Sequence, residues 1–247
     1  RIPKYGRYRL PGRLVLPAFI ALLSFLGSGC TTLPSSEGSA DPSFFKAGLV
    51  GSDRIFLILP DLARHRMIVA GKFSTINGQP ANNIAIYDPT QDRWSIPPVG
   101  VRHSDGGSYI NALAISGRYL FVGGRFTETT DGGLPGLGSI ARFDLETSQW
   151  SALADGGLSN GNDDAIVNAL KVIGNSLFVG GIFTKPRLQI NNPVISTCVI
   201  RYDIVTNSWS ALANQGLDGI VDKLEAFAGD LFVGGKCHDT NDSSPFI

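Results

Sequence analysis

Short apolar runs alternate with glycine- and proline-rich polar stretches along most of the chain, and few long helical runs interrupt them. Residues 166–212 show the pattern most clearly, because turn residues separate their apolar runs. Runs of this length, rich in β-branched and aromatic residues, predict β-strands. We expect four short antiparallel strands here, at 166–172, 177–181, 198–203 and 208–212.

One phrase recurs along the chain, as IVAGKF at 68–73, FVGGRF at 121–126, FVGGIF at 178–183 and FVGGKC at 232–237. The steps between its last glycines (Gly71, Gly124, Gly181 and Gly235) are 53, 57 and 54 residues. A fixed period of this size indicates an array of one supersecondary unit.

The remainder of the unit recurs as well, and three kinds of residue mark it. Glycines end the second strand, an aromatic residue and an aspartate end the third, and a tryptophan follows seven residues after the aromatic residue. We expect the glycines to allow close backbone approach, the rings to fill the wedge between units and the aspartates to accept turn N–H groups. These positions are Gly71, Gly123, Gly124, Gly180, Gly181, Gly234 and Gly235; Tyr87, Phe143 and Tyr202; Trp94, Trp150 and Trp209; and Asp88, Asp144 and Asp203.

The pattern resembles kelch repeats, in which a Gly-Gly pair precedes a Tyr and then a Trp. Its phrasing is similar to the branch that contains the fungal cortical polarity-marker proteins and related secreted bacterial proteins. The resemblance covers residues 55–237 and implies an all-β fold, a β-propeller of four-stranded antiparallel blades. The first copy departs from it at Ala70 and the fourth at Cys237.

Residues 44–247 hold four pairs of first and second strands but only three pairs of third and fourth strands. That is about three and a half blades, whereas a closed propeller usually has 4–8. We therefore expect this kelch-like propeller domain to be incomplete at its C-terminus and part of a larger ring.

Residues 1–29 look like a targeting segment, with five basic residues ahead of the apolar run 14–26. Thirteen apolar residues match the core of a secretory signal and are short for a membrane span. The Gly-Ser-Gly before Cys30 resembles the lipobox of bacterial lipoproteins, which implies lipidation at Cys30 and a membrane anchor. An ordinary secretory signal and a short membrane anchor are the alternatives. Residues 30–43 have the composition of a flexible tether.

The first 29 residues contain no acidic residue, so the remainder carries 16 basic and 21 acidic residues. A mildly acidic mature chain argues against a nucleic-acid partner, which usually requires a basic face.

Catalytic chemistry has little support in the sequence. The stretch 136–141 (GLGSIA) fits a dinucleotide pattern on paper, but a strand follows it where a helix is required. The three histidines are scattered, and the ligands of the galactose oxidase copper site match no positions here. We expect no catalytic residue, no metal and no cofactor in this chain. Cys198 and Cys237 have two alternatives, a disulfide between neighbouring blades or two free thiols.

The function that these features favour is an exported, membrane-anchored, non-enzymatic scaffold that binds a protein or glycan at the cell surface. Its variable loops at 74–83, 127–138 and 184–197 all join second to third strands and should emerge on one face, where binding usually lies. The alternatives are a secreted propeller enzyme, either a copper oxidase or a glycan-acting hydrolase or lyase, with its site elsewhere, and a cell-wall polarity marker.

Overall fold

The computed structural model describes residues 4–9, 49, 53–161, 165–188, 194, 196–212 and 215–240. Cys30 and the tether at 30–43 lie outside the described residues, as does the predicted targeting segment apart from residues 4–9. Within the described residues, no helix is both long and apolar enough to span a membrane.

The described chain is made of short strands joined by turns. In chain order they are β1 (Lys4–Arg9), β2 (Arg54–Asp61), β3 (Arg66–Lys72), β4 (Thr75–Ile76), β5 (Gln79–Pro80), β6 (Ile84–Asp88), β7 (Arg93–Ser95), β8 (Val101–Arg102), β9 (Tyr109–Ser116), β10 (Tyr119–Arg125), β11 (Glu128–Thr129), β12 (Ile140–Asp144), β13 (Trp150–Ala152), β14 (Leu158–Ser159), β15 (Ile166–Ile173), β16 (Ser176–Ile182), β17 (Lys185–Pro186), β18 (Val199–Asp203), β19 (Ser208–Ser210), β20 (Leu217–Phe227) and β21 (Asp230–Thr240). Two 3-10 turns, Leu62–Arg64 and Ala154–Gly156, lie between them.

Three four-stranded sheets share one topology, an antiparallel meander in which each strand pairs with the next long strand of its unit. Sheet A has the order β2-β3-β6-β7, sheet B the order β9-β10-β12-β13 and sheet C the order β15-β16-β18-β19. Sheet D contains β20 and β21, with β1 beside β21. The predicted all-β fold of four-stranded antiparallel propeller blades is confirmed, and the four strands expected in the third copy are those of sheet C.

Strand β1 lies where a complete blade has its third strand. It pairs antiparallel with β21, and Tyr8 opposes Leu231 as Tyr202 opposes Leu177 in sheet C. This pairing requires residues 4–9 to stay in the chain, whereas a cleaved leader removes them. Residues 4–9 therefore either pair with β21 as a strand or are removed as part of a cleaved targeting segment.

Apolar clusters fill the space between successive sheets. Ile68 and Val122 belong to the cluster between sheets A and B, and Phe121 and Val179 belong to the one between B and C. The cluster between C and D includes Val199 and Leu231. Each sheet thus covers the face of the next sheet, which is how neighbouring repeats stabilise one another.

The second glycine of each pair permits a β-bulge in the neighbouring first strand. A Cβ on Gly124 would lie 2.1 Å from the carbonyl oxygen of Tyr109, and one on Gly181 would lie 2.0 Å from that of Ile166. The strand register shifts at this point in all four sheets and leaves one residue of each first strand unpaired. The unpaired residues are Phe56, Asn111, Asn168 and Asp222.

The first glycine of the pair permits close packing between sheets. A Cβ on Gly123 would lie 2.3 Å from Cγ1 of Val167 in sheet C, and one on Gly180 would lie 2.4 Å from Cγ1 of Val221 in sheet D. In sheet D, Gly234 opposes Lys223 across the β20–β21 pair. The two glycines of one pair thus serve different contacts, one within a sheet and one between sheets.

Candidate functional site

The loops between second and third strands emerge on the same side of the sheets as the linkers between consecutive sheets. This follows from the meander, because each strand reverses the direction of the one before it. We call this side the loop face. It comprises loops 73–83, 126–139 and 183–197 and linkers 96–108, 153–165 and 211–216, as far as the structure describes them.

Short ribbons brace two of these loops. In one, β11 of the sheet B loop pairs with β8 of the A-to-B linker, and in the other β17 of the sheet C loop pairs with β14 of the B-to-C linker. The N–H of Thr127 donates to the carbonyl of Arg102 at 2.9 Å, and that of Thr184 donates to the carbonyl of Ser159 at 2.8 Å. The loop of sheet A has its own small hairpin, in which β4 pairs with β5.

One residue closes each loop just before the third strand. Asn83, Ser139 and Cys198 hold this position with left-handed φ angles of 74°, 59° and 62°, and all three are buried. In sheet B, the N–H of Ser139 donates to the carbonyl of Phe126 at 3.1 Å, and the N–H of Gly124 donates to the carbonyl of Ser139 at 3.1 Å. Equivalent pairs of bonds form at Asn83 and Cys198.

The side chains at this closing position reach the following sheet or its linker. The hydroxyl of Ser139 donates to the carbonyl of Ala165 at 2.5 Å, and the thiol of Cys198 donates to the carbonyl of Gly219. The amide Nδ2 of Asn83 lies 3.0 Å from the hydroxyl of Ser108. Sequence reasoning missed this position; its signal is a small polar residue directly before the apolar third strand.

A bidentate ion pair fixes the A-to-B linker to the end of β10. The guanidinium of Arg125 contacts Asp105 at 2.7 and 3.0 Å, and Nδ1 of His103 lies 2.8 Å from the same carboxylate. The hydrogen bond from Arg125, followed by the N–H of Gly107, holds the pKa of Asp105 well below its usual range. Arg102 and Glu128 form a further ion pair across the ribbon at 3.1 Å.

The tip of the sheet B loop presents Asp131 to solvent. A hydrogen bond from the Thr129 side chain, with another from the N–H of Gly133, lowers the pKa of this carboxyl group. The loop tip therefore carries a fixed negative charge at neutral pH.

An open groove of about 270 Å³ lies at this face, where the end of sheet C meets the start of sheet D. Phe183 and Leu217 contribute apolar walls, and Asn160, Thr184 and Asp218 contribute polar atoms. Within the described residues, no group of three or more His, Cys, Asp or Glu side chains is placed to hold a metal ion.

The repeat aspartates lie on the opposite side, in the turns between third and fourth strands. Oδ1 of Asp144 accepts the N–H groups of Glu146 at 2.9 Å and Thr147 at 3.2 Å, and Asp88 and Asp203 accept the equivalent groups of their turns. An ion pair with Arg118, helped by those N–H groups, holds the pKa of Asp144 well below its usual range. These three carboxylates therefore stabilise the turns that follow them by accepting backbone N–H groups.

The repeat aromatic residues pack in cross-strand pairs, each formed by the third and fourth strands of one sheet. Ring centroids are 5.0 Å apart for Tyr87 and Trp94, and 4.9 Å apart both for Phe143 and Trp150 and for Tyr202 and Trp209. The indole N–H of Trp150 donates to the carbonyl of Val99 at 2.7 Å, and that of Trp209 donates to the carbonyl of Ala154 at 2.8 Å. Each of these two tryptophans therefore ties its sheet to the linker that precedes it.

The two cysteines in the described part of the chain, Cys198 and Cys237, are buried free thiols.

A match to a curated kelch-like protein supports kelch-type repeats in this chain. No protein-family model matches the chain. The chain is 28% identical over 144 residues to Kelch-like protein 25 of Xenopus tropicalis, a match that covers 57% of this chain. The match spans only 20% of that protein's length. Among solved structures, the computationally designed Ika4 protein matches 76% of this chain and 88% of its own, with 14% identity and a TM-score of 0.45.

Proposed function

We propose that this chain is a non-enzymatic binding scaffold whose loop face takes a protein partner. The observation that carries the proposal is the bracing of two loops by ribbons to neighbouring linkers. Loops that are ordered before binding lose less conformational entropy when a partner docks. Loops held on a rigid framework are also where binding commonly lies.

The loop face has features that favour a protein over a glycan. Its charged side chains, including Arg102, Asp131 and Lys185, are spread over several loops, where the ionic groups of a protein partner can pair with them and a neutral glycan offers none. A glycan partner is the alternative that the test must separate. The complete chain is tested in parallel on a glycan array and by chemical cross-linking to surface proteins of the producing cell. Specific cross-links to one protein without array binding support the proposal.

A catalytic role would contradict the scaffold proposal. Robust turnover of an oligosaccharide, abolished by a single carboxylate substitution, is the result that would do so. Each loop-face carboxylate, for example Asp105 or Asp131, is replaced by its amide in turn. We expect no turnover by the wild type or by any of these variants.

We further propose that the scaffold is exported and anchored to a membrane through lipidated Cys30. The basic and apolar character of residues 1–29 and the small residues before Cys30 support this. Metabolic labelling with a fatty acid is compared between wild type and Cys30→Ala. We expect label in the wild type only; equal labelling of the two would refute the anchor and leave the binding proposal standing.

A further inference from the structure

Both described cysteines stand where other copies of the repeat carry different residues. Cys198 takes the loop-closing position that Asn83 and Ser139 hold in sheets A and B. Cys237 takes the position that a phenylalanine holds in the other three copies, at Phe73, Phe126 and Phe183. Relative to the other copies, Cys198 departs from a small polar residue and Cys237 departs from phenylalanine.

The two departures meet at one interface. The thiol of Cys198 reaches from sheet C to the carbonyl of Gly219 in β20, and Sγ of Cys237 lies 3.3 Å from the carbonyl of the next residue, Ile220. Gly219 also opposes Cys237 directly in the β20–β21 register. Both cysteines belong to the apolar cluster between sheets C and D, with exposures of 7% and 8%.

We propose that Cys198 and Cys237 form an intramolecular disulfide that joins sheet C to sheet D in an oxidising compartment. Its occurrence in the cell rests on the proposed export, because disulfides persist in exported proteins and are rare in a reducing cytosol. Its formation with an added oxidant is a property of the chain alone. The two proposals can therefore fail separately.

The chemistry is thiol–disulfide exchange with a disulfide-bearing oxidant, such as a small-molecule disulfide or an oxidoreductase. One cysteine thiolate attacks a sulfur of the oxidant, forms a mixed disulfide and releases one thiolate. The second cysteine thiolate then attacks the cysteine sulfur of that mixed disulfide and displaces the other thiolate. The two released thiolates take up the two cysteine protons, so the oxidant is reduced to two thiols.

Burial makes this exchange slow in the folded chain. Desolvation raises the pKa of Cys198, and it raises that of Cys237 to about 11 with added repulsion from Cys198. Few thiolates are present at neutral pH, and the thiolate is the attacking species. We therefore expect oxidation to occur while sheet D folds or when it opens, and to be faster in the presence of mild denaturant.

The full chain is refolded with oxidised glutathione or with a reductant, and its free thiols are then counted by alkylation under denaturing conditions. We expect the oxidised sample to lose two hydrogen atoms in mass and to give one cross-linked peptide containing Cys198 and Cys237. We also expect its unfolding temperature to rise by about 5–15 °C relative to the reduced sample.

The repeat supplies matched controls that keep the interface foldable. Cys198→Ser introduces the residue of sheet B, and Cys237→Phe introduces the residue of the other copies. Each should fold and lose both the mass change and the redox-dependent temperature shift, whereas Cys30→Ala should keep both. Full alkylation of Cys198 and Cys237 after oxidative refolding, or a disulfide from either to Cys30 or to a second molecule, would overturn the proposal.

Discussion

One methyl group is enough to distinguish the roles of the two glycines in each pair. A Cβ on Gly124 would meet backbone atoms of Tyr109 and Ile110, which cannot move without breaking the sheet. A Cβ on Gly123 would meet the side chain of Val167 in the next sheet. Sheet A already carries Ala70 at the position equivalent to Gly123, so the interface between sheets A and B accepts a methyl group there.

We expect Gly124→Ala to lower the free energy of unfolding by about 3 kcal/mol or more, and Gly123→Ala to lower it by only about 1–2 kcal/mol. Denaturant unfolding of both variants measures the difference. Equal losses would contradict the assignment of one glycine to the bulge and the other to the sheet interface.

The carboxylate of Asp144 gives a pH-dependent prediction. Its pKa is depressed in the folded state by Arg118 and by turn N–H groups, so its stabilisation is present above the unfolded pKa of about 3.9 and is lost as the pH falls through the folded value. Wild type should therefore lose stability more steeply below about pH 4 than Asp144→Asn does. Arg118→Gln should flatten the profile in part, and parallel profiles for all three proteins would contradict this account.

At the scale of elements, indole hydrogen bonds join a sheet to the linker that precedes it. Trp150 and Trp209 each donate to a carbonyl of the preceding linker, at 2.7 and 2.8 Å. Their rings also pack on the aromatic residue of the neighbouring strand, Phe143 or Tyr202. The hydrogen bond and the ring contact can be separated by substitution.

Trp150→Phe keeps an aromatic ring against Phe143 but leaves the carbonyl of Val99 without its donor. We expect a loss of about 1–2 kcal/mol in the free energy of unfolding, with a similar loss for Trp209→Phe. Trp150→Leu should cost more because it also removes the ring contact. If Trp150→Phe is as stable as wild type, the indole bond does not contribute to the interface.

The strands and turns were accessible from the sequence because each is repeated and each obeys local rules. The aspartate turns and the glycine pairs depend on residues close in the chain or on recurring positions. The loop-closing role of Ser139 was not accessible, because its hydroxyl bonds to Ala165, 26 residues away in the next linker. The ribbons that brace the loops were not accessible for a similar reason. Their strands are only two residues long, and two long strands separate each strand from its partner along the chain.

At the scale of the molecule, sheet A is the first of the described sheets, and part of its outer face is exposed. Ile58 in β2 occupies the position of Leu170 in sheet C and Leu224 in sheet D, which pack on the first glycine of the preceding sheet. In sheet A, Ile58 is 49% exposed.

We expect Ile58→Ala to change the free energy of unfolding by less than about 1 kcal/mol, whereas Leu170→Ala should lower it by about 2–3 kcal/mol. Denaturant unfolding of the two matched variants measures the difference. A loss at Ile58 as large as that at Leu170 would show that another blade or molecule covers this face in solution.

Site-specific photo-cross-linking on the producing cell determines whether the loop face is the binding surface. A photoreactive side chain is placed at the exposed loop-face position Asp131 and, as a control, at Val205, which is 71% exposed in a turn on the opposite side. We expect discrete protein adducts from position 131 and none from position 205. Equal adducts from both positions, or adducts from position 205 alone, would contradict it.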